Sequence, residues 1–78
     1  MADIKRIREM NEEDIERNYT YHAPKPGQPA TYTLLRNTAK ELALLINDMV
    51  PEGREKSLAF TKLEEVVMWA NAGIARRG

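Results

Sequence analysis

The sequence predicts an all-α fold, a short N-terminal helix followed by a long antiparallel helical hairpin, assembled as a homo-oligomer. Two observations give the hairpin. Leu35, Ala39, Leu42, Ile46 and Met49 recur at three- and four-residue steps, and Ala59, Leu63, Val66, Val67, Ala70 and Ile74 repeat that pattern farther along, so each segment carries one apolar stripe at helical period. Between them, VPEGRE is a tight turn in which Pro51 stops one helix. A third observation gives the assembly. At about 100° per residue, Leu58 and Trp69 fall together off the second stripe, Met68 lies farther round, and Leu44 faces away from Leu42 and Ile46. Two helices share only one seam, too little to offset the entropy of ordering them, so the off-stripe apolar side chains are expected to form a self-association surface, ahead of the plainer reading as tolerated surface apolars or a bed for the N-terminal helix.

Taken in order, residues 1–18 form the N-terminal helix, charged and sparsely apolar at Ile4, Ile7, Met10 and Ile15, with Asp3 or Asn11 as N-cap and a break near Asn11. Residues 19–29 are a proline-rich loop, 30–50 the first long helix and 53–77 the second, all within a single domain of residues 1–78. Pro29 suits a first helical turn, and Arg76 and Arg77 suit the negative end of a helix dipole. The loop is unusual for its stiffness. Pro24, Pro26 and Pro29 fix φ where a mere linker would use Gly and Ser, so the neighbouring side chains are held for presentation.

Composition narrows the function. Twelve Lys+Arg balance 12 Asp+Glu, which argues against a partner such as DNA or RNA but leaves room for a local basic pocket. The chain has no Cys, so neither a disulfide framework nor a thiolate zinc site is expected. No apolar run approaches the roughly 20 residues that cross a bilayer, and no signal peptide is evident, so no membrane association and a cytosolic location are expected. No cofactor or metal is called for.

Catalytic patterns are weak. His22 is the only histidine and lacks paired-His or HExxH spacing, which favours hydrogen bonding or stacking over a general base. Glu64 and Glu65 are adjacent and point about 100° apart, unlike an acid/base dyad. EGREKS lacks the glycine directly before Lys56 and the preceding strand that a phosphate loop needs. A binding site is better supported: Tyr19, Tyr21 and Tyr32 offer stacking faces and Lys25 and Arg36 offer cations, a mixture suited to nucleotides. Thr38, placed on the inward side of the first long helix, offers a hydroxyl. Each residue has a plainer use as well: a tyrosine lid over the hairpin end, a solvated flank at Arg36, or a core threonine bonded to the Leu34 carbonyl.

The stretches TYHAPKPGQ, YTLLRNTAKELALLI and REKSLAFTKLEEVVMWANAGIARR resemble the small phage anti-CBASS proteins, cyclic-nucleotide sponges that sequester the host's immune messengers without cleaving them. A related hairpin occurs in anti-Thoeris sponges, whose ligands are cyclic ADP-ribose isomers. The resemblance covers the chain from about Tyr19 onward. It implies a homohexamer in the cytoplasm of the infected bacterial host, with pockets between subunits for 3′,3′-cyclic dinucleotides such as cyclic GMP-AMP and separate sites for cyclic trinucleotides. By the same resemblance Tyr21 stacks on a base, Arg36 and Thr38 complete the dinucleotide pocket from the same or a neighbouring subunit, and Arg77 contacts a cyclic trinucleotide. His22 and Lys25 flank Tyr21 and join the expected ligand-binding set. No residue is expected to be catalytic. The rival reading is an oligomeric helical adaptor that binds a protein partner through its exposed Trp/Leu face, the loop being only a brace.

Overall fold

The computed structural model describes residues 11–78, so the expected helical positions Ile4, Ile7 and Met10 and the Asp3 cap lie outside the described residues. Asn11 is the N-cap of the first described helix, α1 (Glu12–Tyr19): its Oδ1 accepts the Asp14 backbone N–H at 2.8 Å, filling one of the four donors a helix start leaves open. Glu12, Glu13 and Asp14 follow at the positive end of the dipole, and Arg17 donates to Asp14 at 3.0 Å. The helix stops where Thr20 turns extended.

The chain then crosses residues 20–27 and starts α2 (Gln28–Met49), two positions ahead of the expected residue 30. The reason is local. Gly27 takes φ 85°, a left-handed conformation that glycine adopts without a Cβ clash, and the Gln28 N–H donates to the Lys25 carbonyl at 3.0 Å while the Gln28 Oε1 accepts the Lys25 N–H at 2.9 Å. Pro29 then occupies the first turn, where its missing N–H costs nothing. At the far end the Val50 N–H closes on the Ile46 carbonyl at 3.0 Å and Pro51 forbids continuation. Gly53, with φ 156°, begins α3 (Arg54–Arg77).

The extensive helix packing among the described residues is α2 against α3. Tyr32, Leu35, Ala39, Ala43 and Ile46 face Phe60, Leu63, Val67, Ala70 and Ile74, all half-buried. The expected stripes therefore need correction: Leu42, Met49 and Val66 are exposed, Met49 by 69 %. The seam runs Ala39–Ala43–Ile46 and so turns past Leu42, because the small alanines let α3 approach closely along their own line and carry the larger neighbours to the flanks. No apolar side chain is fully buried among the described residues. The radius of gyration, 16.8 Å, exceeds the roughly 11 Å of a compact domain this long, as a bare hairpin should.

Two lysines close the ends of that hairpin. Among the described residues Lys56 is the one fully buried, 5 % exposed, and its Nζ donates to the Asn47 carbonyl at 2.9 Å and to Glu52 Oε1 at 2.7 Å. Asn47 is among the last carbonyls of α2, which lack helical partners, so the ammonium caps that helix from the start of the next. At the open end, Gln28 Nε2 donates to the Ile74 carbonyl at 3.3 Å and Lys25 Nζ to the Gly78 carbonyl at 2.5 Å. The proline-rich loop is thereby tied to the end of α3.

Candidate ligand-binding site

Along one face of the hairpin, between α2 and α3, lies an open groove of about 470 Å³. Its floor is apolar, with Ala39, Ala43, Phe60, Leu63 and Val67 among the lining residues. The two walls differ in charge: α2 contributes Arg36 and Lys40, and α3 contributes Glu64. None of these three pairs with another across the groove, so a dianion on the α2 side would meet two cations not already neutralised there.

Of the six expected binding residues, only Arg36 lines this groove. Thr38 is exposed, which corrects its inward placement. It sits two residues from Arg36, about 200° around the helix, so the two point to nearly opposite sides of α2. The back-bond expected from Thr38 to Leu34 is instead the habit of Thr31 and Thr61, whose hydroxyls donate to the Gly27 and Ser57 carbonyls at 3.3 and 3.2 Å. Tyr21 stands 83 % exposed in the loop, and Tyr19, at the end of α1, is 80 % exposed. Two aromatic faces are thus open to solvent. Tyr32 is half-buried in the seam.

His22 has a definite local partner: its Nε2 lies 2.6 Å from the Arg17 carbonyl. A carbonyl only accepts, so that nitrogen carries the proton, and the ring caps the end of α1 while setting the loop's exit direction. Lys25 is spent on the end of α3, as described above. Arg77 is exposed on the last turn of α3, remote from the groove along the helix. A single chain therefore does not gather Tyr21, Arg36 and Thr38 into one pocket.

Sequence reasoning overlooked Lys40, Phe60 and Glu64 as groove residues. For Lys40 a signal existed, since Arg36 and Lys40 are four apart and must share a helix face; Phe60 and Glu64 depend on the register of α3 against α2. Asn71 Oδ1 is a buried side-chain acceptor with no partner among the described residues. No group of His, Cys, Asp and Glu that could hold a metal occurs among the described residues, and no described helix is long and apolar enough to cross a membrane.

A family model described as the Acb2/Tad1 hairpin domain matches residues 10–75, a span that includes the whole loop, α2 and the groove. No curated protein and no solved structure matches the chain.

Proposed function

Because the chain belongs to the Acb2/Tad1 hairpin-domain family, the anti-CBASS and anti-Thoeris sponges, we propose that it sequesters cyclic di- and trinucleotide messengers of CBASS signalling without cleaving them. The family itself implies a phage sponge for cyclic oligonucleotides. The observation supporting the finer reading is the groove, with its apolar floor and Arg36, which pairs with no other described residue. A flat base and an anionic phosphodiester need those two features side by side. Tyr21 supplies the stacking face, Arg36 and Thr38 the polar contacts, and His22 and Lys25 hold the loop that carries Tyr21. Arg77, at the far end of α3, serves a separate trinucleotide site. The protein acts where such messengers are made, in the cytoplasm of the infected bacterium.

The same geometry supports assembly as part of this reading. Arg36 and Thr38 face opposite ways on one helix, so a pocket that uses both requires a second chain. Leu44, Leu58, Met68 and Trp69 are exposed and supply the apolar area for a homo-oligomer, with the hexamer as the proposed state. Trp69→Ala should shift native mass spectra toward smaller species at low micromolar concentration while circular dichroism keeps its helical signal. Truncating a buried interface tryptophan costs about 2 kcal/mol or more. A wild-type chain that flies only as a folded monomer would refute the assembly.

The test of function has two readouts. With 3′,3′-cyclic GMP-AMP at a thousand times Kd, a binder gains about 4 kcal/mol of stability and melts correspondingly higher. Heating the complex after long incubation with divalent metal should then release the cyclic nucleotide intact and able to activate its effector. Linear products appearing at a rate that depends on His22 would mark an enzyme. No melting shift with any cyclic di- or trinucleotide, alongside intact assembly, would favour the protein-binding adaptor.

A further inference from the structure

The described cations divide into those already engaged and those left over. Arg17 pairs with Asp14, Lys62 with Glu65, Lys56 with Asn47 and Glu52, and Lys25 with the Gly78 carbonyl. Arg54, Arg76 and Arg77 likewise pair with no described residue, but they stand at the turn and at the other end of α3, outside the groove. That leaves Arg36 and Lys40, which hold no hydrogen bond or ion pair to another described residue and line the same groove. Along α2 they are one turn apart, about 6 Å. A cyclic dinucleotide carries two phosphodiesters, hence two negative charges on one small rigid ring. Within the groove of one chain, Arg36 alone leaves the second charge without a partner over an apolar floor, where desolvation without compensation is costly.

We propose that Lys40 is the second phosphate-anchoring residue, pairing with one phosphodiester of a cyclic dinucleotide while Arg36 pairs with the other. The proposal rests on the sponge reading of this groove. Glu64, on the opposite wall, repels phosphate and so holds the anionic edge of the ring on the α2 side, leaving the bases toward the apolar floor and α3. The plainer role for Lys40 is to lay its four-carbon stem across the apolar floor with the ammonium in water. The two roles separate on charge, since a methionine keeps most of that stem and loses the ammonium.

Calorimetric titration with 3′,3′-cyclic GMP-AMP between about 50 and 300 mM salt reads the difference. Lys40→Met should bind about ten- to a hundredfold more weakly than wild type, the range of a lost hydrogen bond to a charged group. Its affinity should fall less steeply with salt, and its melting temperature without ligand should be unchanged. Lys40→Arg should restore both affinity and salt dependence. In a double-mutant cycle, Arg36→Ala and Lys40→Met should combine without either masking the other, because each serves a different phosphate. Wild-type affinity and salt dependence in Lys40→Met would overturn this proposal and leave the sponge reading standing. A wild-type chain that binds neither cyclic GMP-AMP nor cyclic di-AMP nor cyclic di-GMP would overturn both.

Discussion

On the sponge reading proposed above, Tyr21→Ala should lower affinity for 3′,3′-cyclic dinucleotides by about five- to a hundred-and-fifty-fold, the range of about 1–3 kcal/mol for one lost base–aromatic stack. The fold and the assembly are expected to survive. Tyr21 is 83 % exposed in the chain, so its removal leaves no cavity, and the loop path is set independently by the Gln28 bonds to Lys25 and by His22 on the Arg17 carbonyl. Tyr21→Phe keeps the ring face and should bind within a few-fold of wild type. Tyr19 provides the control, being equally exposed two residues earlier but on α1 rather than on the braced loop. Calorimetry on the three variants, with native mass spectrometry to verify assembly, checks this. Full affinity in Tyr21→Ala with loss in Tyr19→Ala would move the stacking face to the helix end.

How much of this was legible in advance differs by element. The two long helices were, because apolar residues at three- and four-residue steps leave few alternatives over more than twenty positions. The seam within them was not fully so. Leu42 and Ala43 both satisfy the period, and choosing between them requires knowing that α3 packs along the alanines. Hydrophobicity pointed to leucine, whereas close approach selected the smaller side chain. The expected surplus of apolar surface was readable from Leu44, Leu58 and Trp69, each of which is exposed.

Within the candidate site the charges were harder to read. Lys25 looked like a phosphate cation because it lies beside Tyr21, yet its partner is the Gly78 carbonyl, 53 residues away in sequence. A single loop cannot show which helix end it will meet. His22 was legible as a hydrogen-bonding residue from its isolation, although its target, a carbonyl five positions back, was not. Thr38 was misplaced because it was judged from the apolar stripe before that stripe had been located against α3. The groove depends on both helices at once, so Arg36 and Lys40 could be put on one face from spacing alone while the facing Glu64 could not.

Lys56→Ala should be the most damaging single substitution in the hairpin. Lys56 is buried to 5 % and donates to the Asn47 carbonyl at 2.9 Å, so truncation removes both a packed stem and the cap on the end of α2. A hydrogen bond involving a charged group contributes about 1.5–3 kcal/mol, and three lost methylenes add about 2 kcal/mol at full burial. Since each kcal/mol moves the midpoint of a domain this small by about 4–8 °C, the melting temperature should drop by about 15 °C or more, measured without ligand and at fixed protein concentration. Two further variants apportion the loss. Lys56→Met retains the stem and should lose roughly the hydrogen-bond share. Glu52→Gln should cost less than about 1 kcal/mol, because the Glu52 side chain is 90 % exposed and ion pairs with one exposed partner are weak. The turn has little else to fall back on: Gly53 occupies a φ that other residues rarely adopt, and Pro51 gives the chain no N–H to bond. Lys56→Ala melting within about 2 °C of wild type would show that the turn is held by the helix seam and not by this ammonium. With the drop as expected, ligand affinity should fall too, because the groove has one wall on each helix and Lys56 is what fixes their register at the closed end.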